Sequence, residues 1–411
     1  MCFGNDVHLI MRVYISRFTF IFLFALWPLS AEGPAKKELR RSAYELPNAS
    51  EPFRYIRVYL TGGVPEVHLK TLSPFQVKDK LNRVIFSGDK MSSTTLKPGV
   101  QGIYVGSRLL KSIPLNLESQ GGGFQIGGRT YRHILQVWEE SGGKLLVVNE
   151  IPIEDYLRGV LPSEMSAEWP LEALKAQAIA SRTFALFRMM ENQNDRYDLT
   201  KDVLSQVYKG KALEHSASSR AVRETQGEIL TYQGKVFPSF FHSTCGGRTA
   251  NMADLWDMQE HPSMKGVSCE FCKLSRHYRW SSEIAVREVE ANLKKAGYTI
   301  SGIQKLQLDH LDPGGRAATI WVYDSKGKKK FRASDFRFLA GPDKIKSTLI
   351  EKIERRGDTF YFRGRGWGHG AGLCQYGARH LAELGYTAVQ ILRFYYPDAE
   401  ITQFWPQNQF L

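Results

Sequence analysis

The sequence predicts an α+β fold with a mixed, β-rich core, an N-terminal β-rich region and one long, alanine-rich helix. The first observation is a series of short apolar runs between residues 55 and 148, separated by Gly, Asn, Asp and Pro, as in strands joined by turns. The second is a stretch from residue 166 to about residue 192 in which apolar and small residues recur at helical spacing. That stripe comprises Leu171, Leu174, Ala178, Ser181, Ala185 and Met189.

The N-terminus predicts export. Arg12 and Arg17 precede an apolar stretch at residues 18–29, and the small residues Ser30 and Ala31 follow it, as in a secretory signal peptide. We therefore expect a signal peptide over residues 1–31 and a location in the periplasm or cell wall. An uncleaved signal that anchors the chain in the membrane is the alternative. A polar tether at 32–52, an N-terminal β-rich region at 53–130 and a second domain at 131–405 complete the predicted organisation of the 411 residues.

The charge of the chain favours a polyanionic partner. The net charge of +13 suits nucleic acid, an anionic membrane face or an acidic wall polymer. The basic residues are scattered, with their densest runs at residues 36–41 and 326–330, so a solvated basic surface is the alternative. Because a signal peptide takes the chain away from nucleic acid, we expect no nucleic-acid partner.

A candidate general acid, Glu164, lies on a predicted turn before the long helix. A carboxyl in a partly apolar setting near Met165 and Trp169 would have a raised pKa, as a general acid requires. A glutamate beside a helix start is often a capping or dipole partner instead. Lys175 and Arg182 follow on the helix, and because they are seven residues apart they share one helical stripe.

A second candidate feature is a glycine-rich run near the C-terminus. Glycines occupy every second position from Gly364 to Gly372, around Trp367 and His369. Glycines let backbone amides approach a ligand closely, and a tryptophan face can stack on a sugar ring. A tight, irregular loop with a packed tryptophan is the alternative. The spacing is wrong for a nucleotide-binding Walker loop.

Two pairs of residues with soft ligand atoms form a candidate metal site. His242 and Cys245 form a His-x-x-Cys pair, and Cys269 and Cys272 form a Cys-x-x-Cys pair, which suits tetrahedral structural zinc. If all four bound the ion, no position would remain for a catalytic water, so we expect a structural site. A disulfide, which an exported compartment permits, and free thiols are the alternatives, and His277 could substitute as a ligand.

Several segments together resemble the stage II sporulation protein D family, also called the amidase-enhancer family. They occur in the family's order over about residues 130–400, and the set is far more specific than any one segment. Cys374 departs from the small or aliphatic residue that the resemblance leads us to expect. The matching segments are Glu154-Asp155-Tyr156-Leu157-Arg158-Gly159-Val160, Pro162-Ser163-Glu164-Met165, Lys175-Ala176-Gln177-Ala178, Ser205-Gln206-Val207-Tyr208-Lys209-Gly210, His242-Ser243-Thr244-Cys245-Gly246-Gly247-Arg248-Thr249, Gly366-Trp367-Gly368-His369-Gly370 and Gln375-Tyr376-Gly377-Ala378.

The resemblance implies a peptidoglycan lytic transglycosylase that cleaves glycan strands stripped of their stem peptides. It implies Glu164 as the single catalytic acid, an active-site groove beside the long helix, and no cofactor for catalysis. Lys175 or Arg182 is then expected to meet the lactyl carboxylate of the substrate. A non-catalytic, glycan-binding activator of a cell-wall amidase is the alternative function. The candidate groove residues are Lys175, Gln177, Arg182, Gln206, Tyr208, Trp367, His369 and Gln375.

Overall fold

A computed structural model describes residues 41–46, 53–201, 206–256 and 258–405. The predicted signal peptide lies outside the described residues, as does most of the predicted tether. The described residues form open β-sheets together with α-helices, which confirms the predicted α+β class. Among the described residues, no helix is both long enough and apolar enough to span a membrane.

Two sheets form the N-terminal half. A seven-stranded sheet has the order β14-β2-β13-β12-β9-β4-β5, and a six-stranded sheet has the order β11-β10-β3-β6-β7-β8. The strands are β2 (Tyr55–Val64), β3 (Val67–Thr71), β4 (Phe75–Lys78), β5 (Val84–Gly88), β6 (Met91–Gly99), β7 (Gly102–Val105), β8 (Arg108–Leu110), β9 (Leu115–Ser119), β10 (Phe124–Ile126), β11 (Arg129–Tyr131), β12 (Ile134–Glu140), β13 (Lys144–Pro152) and β14 (Leu199–Thr200).

Burial along these strands follows the alternation read in the sequence. In β2, Ile56, Val58 and Leu60 are buried while their neighbours are partly exposed. In β13, residues 145–149 are all buried, because this strand lies in the middle of the sheet and is covered on both faces. The seven-stranded sheet crosses residue 130, the predicted boundary between the N-terminal region and the second domain, since β12 and β13 pair with earlier strands.

Eight helices are assigned in the described part of the chain. The long helix α2 confirms the predicted one, although it begins after Pro170 rather than at Ser166. Its alanines allow other elements to pack closely on it, and α1, α3, α7 and α8 all contact it. The helices are α1 (Ile153–Glu164), α2 (Leu171–Glu191), α3 (Ser216–Glu224), α4 (Met252–Trp256), α5 (Val286–Lys295), α6 (Ala333–Ala340), α7 (Gln375–Glu383) and α8 (Ala388–Tyr395).

The main hydrophobic core extends from the N-terminal sheets to the C-terminal helices, and a second core lies within residues 280–362. The second core is formed by two three-stranded sheets, β18-β23-β22 and β19-β20-β21, with α5 and α6. The remaining strands are β1 (Tyr44–Glu45), β15 (Glu228–Tyr232), β16 (Lys235–Val236), β17 (Phe241–His242), β18 (Arg279–Ala285), β19 (Lys305–Leu311), β20 (Ala317–Asp324), β21 (Gly327–Arg332), β22 (Ile350–Arg356), β23 (Thr359–Arg365), β24 (Leu373–Cys374) and β25 (Glu400–Gln403).

A short parallel pair of strands joins the middle of the chain to its C-terminal part. β17 pairs with β24, so that Phe241 lies opposite Leu373 and His242 opposite Cys374. Helix α7 begins directly after β24 and packs against α2. This connection brings the C-terminal segment to the end of α1, where Glu164 lies.

Candidate active site

Glu164 is the last residue of α1, not part of a free turn as the sequence suggested. Pro162 lies in the final helical turn, and Met165 ends the helix in an extended conformation. The Glu164 carboxylate accepts a hydrogen bond from the Val207 amide at 3.1 Å, on Oε1. The Gln375 side-chain amide donates to Oε2 at the longer distance of 3.5 Å. Three separate parts of the chain therefore meet at this carboxyl.

The setting of Glu164 favours its neutral form. The residue is half-buried, and burial raises the pKa of its carboxyl, while the hydrogen bonds from Val207 and Gln375 offset only part of that rise. Among the described residues, no Lys, Arg or His nitrogen lies within 4.0 Å of the carboxylate. A partly accessible carboxyl whose pKa is raised is the kind of group that general-acid catalysis needs.

Gln206 and Tyr208, expected in the groove, are buried supports beneath it. They are 0% and 2% exposed. Gln206 accepts a hydrogen bond from the Tyr156 hydroxyl at 3.0 Å and donates to the Ser181 carbonyl at 3.1 Å. The Tyr208 hydroxyl donates to Asn149 at 3.0 Å. Because both neighbours of Val207 are fixed in this way, its amide is held where it meets Glu164.

Helix α2 presents Gln177, and not Arg182, towards the acid. Gln177 accepts a hydrogen bond from Gln375 at 3.4 Å and donates to Ser181 at 2.9 Å, so the two glutamines form a buried bridge beside Glu164. Residue 175 is about 200° around the helix from residue 177, at about 100° per residue. The stripe of Lys175 and Arg182 therefore faces away from Gln177, towards α3.

The expected role of Arg182 in the groove is wrong. Its side chain is completely buried and forms a bidentate ion pair with Glu154, with both N–O distances at 2.8 Å. The Arg182 guanidinium also donates to the Glu228 carbonyl at 3.0 Å. The Lys175 ammonium already contacts two carboxylates, Glu172 at 3.0 Å and Glu224 at 2.8 Å. Neither cation is therefore free to meet a substrate carboxylate.

The glycines of residues 364–372 allow this loop to pack closely against neighbouring parts of the chain. A Cβ at Gly372 would lie 1.9 Å from the Phe240 carbonyl, and one at Gly368 would lie 2.9 Å from the His242 Cβ. Both glycines have positive φ angles, +68° and +105°, which other residues rarely adopt. This corresponds to the alternative of a tight, irregular loop.

Trp367 and His369 both lie in aromatic clusters. The Trp367 ring is 4.1 Å from the His277 ring, edge to face, and the Lys346 ammonium lies 5.4 Å from its centroid. His369 packs against Trp256 at 5.1 Å and accepts a hydrogen bond from the Ala371 amide. Both residues are partly exposed, so each still presents a surface to a ligand.

The candidate metal site has a different fourth ligand from the one expected. The Sγ atoms of Cys245, Cys269, Cys272 and Cys374 all lie within 4.8 Å of one another, all four residues are buried and none is in a disulfide. This cluster could hold a metal ion. His242, the expected ligand, instead directs Nδ1 towards the Ala371 carbonyl at 3.0 Å. The parallel pairing of β17 with β24 places Cys374 opposite His242 and so supplies the fourth sulfur, which spacing along the chain cannot reveal.

Sequence reasoning also missed a cleft that begins at Trp169. Trp169 packs edge to face on Tyr376, the neighbour of Gln375, with 5.0 Å between ring centroids. From Trp169 a cleft of about 540 Å³ extends between α2 and α3. The signal available in the sequence was Trp169 itself, five residues after Glu164. The residues lining the cleft are Trp169, Leu171, Leu174, Ser216, Ala217, Ser219, Arg220 and Arg223.

Comparison with known proteins identifies the family. A family model described as stage II sporulation protein matches residues 141–232, which include Glu164, Gln177 and Val207. The stage II sporulation protein D of Bacillus amyloliquefaciens is 34% identical over 272 residues, 62% of this chain and 76% of that protein. The chain belongs to the stage II sporulation protein D family.

Two further similarities extend the family match. An uncharacterised protein of Brachyspira hyodysenteriae is 34% identical over 284 residues, 69% of this chain and 75% of that protein. The amidase enhancer of Bacillus subtilis is 28% identical over 296 residues, which is 60% of this chain but only 40% of the enhancer. A model described as a domain of unknown function matches residues 268–372, which contain the second core.

Proposed function

We propose that this member of the stage II sporulation protein D family is a peptidoglycan lytic transglycosylase with Glu164 as its single acid and base. Family membership and the similarity to an amidase enhancer support a cell-wall-related function. The substrate in this proposal is a glycan strand without stem peptides, cleaved between N-acetylmuramic acid and N-acetylglucosamine. The observation that carries the proposal is a half-buried carboxyl with a raised pKa whose hydrogen-bond partners, within the described residues, are all uncharged.

The reaction needs one carboxyl in two protonation states. Protonated Glu164 donates its proton to the bridging oxygen as the glycosidic bond breaks. The resulting carboxylate then accepts the proton of the muramic acid 6-hydroxyl, whose oxygen attacks C1 and closes a 1,6-anhydro ring. The amides of Val207 and Gln375 stabilise the carboxylate between the two steps, because both can donate to it.

A hydrolase would need a second carboxyl to act as nucleophile or to activate water. Among the described residues, no other carboxylate contributes to the pKa of Glu164. Glu154 and Asp155, at the other end of α1, are engaged by Arg182 and by His133 with Arg158 respectively. The site therefore favours the route that uses the sugar's own hydroxyl in place of water.

The product identifies the reaction. Purified protein would be incubated with denuded glycan strands and the products analysed by mass spectrometry for 1,6-anhydro-muramic ends. Glu164→Gln should lower the rate of product formation by about 10²–10⁴-fold. Glu168→Gln is the matched control, because Glu168 lies four residues after Glu164 and is exposed. Unchanged product from Glu164→Gln, or reducing ends in place of anhydro ends, would contradict the proposal.

Activation of a cell-wall amidase is the second candidate, favoured by the similarity to the amidase enhancer. In that case the same groove holds glycan without cutting it. Stimulation of a purified wall amidase that persists in Glu164→Gln, with no anhydro product from the unaltered chain, would establish the activator function in place of the enzyme.

The proposed enzyme acts outside the cytoplasmic membrane, in the periplasm or cell wall. The basis is the signal-peptide pattern of residues 1–31. Catalysis as proposed uses no metal. We therefore assign the cysteine cluster a structural role. Zinc is the ion that best suits a set of buried thiolates.

A further inference from the structure

We infer that Cys245, Cys269, Cys272 and Cys374 bind one Zn²⁺ ion as a closed tetrathiolate site, and that Arg316 is its buried counter-charge. The inference assigns the fourth ligand to Cys374, and it assigns an anionic partner to Arg316, which forms no ion pair among the described residues. The metal-binding part stands apart from the proposed enzymatic function, because it concerns the cluster alone.

The sulfur geometry fits one tetrahedral ion. Zinc–sulfur bonds of about 2.3 Å in a tetrahedron place sulfurs about 3.8 Å apart. In the structure all four Sγ atoms lie within 4.8 Å of one another, and those of Cys245 and Cys272 are 3.4 Å apart. A set in which every sulfur is close to the other three suits one shared ion better than two separate disulfides.

Donors already point at these sulfurs. The Cys245 amide donates to the Cys374 Sγ at 3.2 Å, and the Tyr395 hydroxyl lies 3.3 Å from the Cys269 Sγ. Hydrogen bonds to metal-bound thiolates orient the ligands and tune the site.

Arg316 supplies the second, independent observation. It is 2% exposed, and its guanidinium donates through Nη2 to the Cys245 carbonyl. Its Nε and Nη1 atoms are buried and have no hydrogen-bond partner in the described part of the chain. Asp312 is close, but its carboxylate accepts the backbone amides of Gly314 and Arg316 and forms no ion pair with the guanidinium among the described residues.

A buried cation without an anion is costly, and zinc removes that cost. Four thiolates and Zn²⁺ together carry two negative charges, directly beside the guanidinium. The glycine-rich run packs on the other side of Arg316, since a Cβ at Gly370 would lie 2.5 Å from the Arg316 Cζ. Gly370 thus lacks a side chain because Arg316 occupies that space.

The ion would connect the second core to the candidate active site. Arg316 immediately precedes β20, and Cys374 immediately precedes Gln375, which contacts both Glu164 and Gln177. Zinc bound to Cys374 would therefore fix the start of α7 and, through it, the position of Gln375.

The first experiment measures metal in the unaltered, full-length chain. Protein purified without reductant or added metal would be analysed by inductively coupled plasma mass spectrometry and by thiol alkylation under denaturing, metal-chelating conditions. We expect one zinc ion per chain and alkylation of each of Cys245, Cys269, Cys272 and Cys374. Disulfide-linked cysteines, free thiols without metal, or iron in place of zinc would each overturn the assignment.

The second experiment separates the two possible ligand sets. Cys374→Ser should lose zinc or release it at least about tenfold faster to a chelator, whereas His242→Gln should retain it. The Co²⁺-substituted protein should show the absorption of a four-sulfur tetrahedral site. The opposite result, with zinc retained in Cys374→Ser and lost in His242→Gln, would overturn the role of Cys374. If Cys374→Ser fails to fold, the cobalt spectrum of the unaltered chain still distinguishes four sulfurs from three.

The third experiment tests the counter-charge. Arg316→Met should lose zinc to a chelator roughly tenfold faster than the unaltered protein, and Arg316→Lys should restore part of the difference. Arg337→Met is the matched control, because Arg337 is also buried in the second core but donates to the Ile345 carbonyl. Equal zinc release from Arg316→Met and the unaltered protein would overturn the counter-charge. If Arg316→Met fails to fold, Arg316→Gln provides the same comparison with a polar side chain.

Discussion

The two ends of helix α1 carry glutamates in opposite electrostatic settings. Glu154, in the first turn, is buried and forms a bidentate ion pair with Arg182. Glu164, the last residue of the helix, is half-buried, and its hydrogen-bond donors in the described part of the chain are the uncharged amides of Val207 and Gln375. Burial affects both carboxyls, but among the described residues only that of Glu154 is paired with a cation.

The difference shows how one helix can hold a structural carboxylate and a candidate acid. A guanidinium next to a carboxyl favours its charged form, whereas burial without a cation favours its neutral form. The contrast depends on the rotation of α2, because Arg182 and Gln177 lie on different faces of that helix. A cation turned towards Glu164 would lower the pKa of its carboxyl and so favour the ionised form, which cannot donate a proton.

Breaking the ion pair should have the largest effect on stability. Arg182→Met leaves the Glu154 carboxylate buried without its cation, which costs about 3–5 kcal/mol in the free energy of unfolding. Urea unfolding followed by circular dichroism measures this cost. Replacing both partners, in Glu154→Gln with Arg182→Met, should recover part of the loss. A cost below about 1 kcal/mol for the single variant would show that the pair is not structural.

Removing the charge at the other end of α1 should act in the opposite direction. Burial raises the pKa of Glu164, so the folded state binds this proton more tightly than the unfolded chain does. The stability that the protonated group contributes is fully present below its ordinary pKa of 4.5, and it is lost as pH rises through the folded-state pKa. Glu164→Gln is always neutral, so at pH 7 it should be more stable than the unaltered protein.

The pH dependence supplies the control for this second prediction. The stability difference between Glu164→Gln and the unaltered protein should shrink as the pH falls below 4.5, because both side chains are then neutral. Unfolding curves at several pH values measure it, with Glu168→Gln as the exposed control. A variant less stable than the unaltered protein at pH 7 would contradict the setting inferred for Glu164.

The sequence was sufficient for the fold class, the long helix and the position of Glu164 near it. The alternation of apolar residues along strands and their helical spacing are local patterns, and the structure confirms both. The sequence did not show which face of α2 lies towards Glu164. Spacing places Lys175 and Arg182 on one stripe, but which stripe faces the acid depends on how α1 and α3 pack against the helix.

The cysteine cluster shows the same limit for a different reason. Cys245, Cys269 and Cys272 belong to short, recognisable pairs, whereas Cys374 lies about 100 residues beyond them. Its position in the cluster results from the pairing of β17 with β24. In the sequence Cys374 looked like a departure in local packing, and the displaced residue, His242, looked like the ligand.

Gln375 offers a finer test of the acid's setting. Its amide donates to Glu164 and lowers the pKa of the carboxyl against the effect of burial. Gln375→Met keeps the size of the side chain but removes the donor, so the pKa of Glu164 should rise. Because the first step needs the protonated acid, the basic limb of the activity profile should move to higher pH.

A like charge at the same position sharpens that test. Gln375→Glu should move the basic limb further in the same direction, since a neighbouring carboxylate disfavours ionisation of Glu164. The measurement is the pH dependence of kcat/KM on denuded strands. A basic limb that stays in place in both variants would show that Gln375 does not act on Glu164.

Lys175 should give the smallest effect, although it shares a stripe with Arg182. Its ammonium bridges Glu172 and Glu224 in a partly exposed position, and such pairs contribute about 0–1 kcal/mol to stability. Lys175→Met should therefore destabilise the protein by less than about 1 kcal/mol. Binding of denuded strands, measured by sedimentation with the glycan, should stay unchanged because two carboxylates already neutralise the ammonium. Weaker binding in Lys175→Met than in the control Lys273→Met, which removes an exposed lysine, would return Lys175 to the substrate groove.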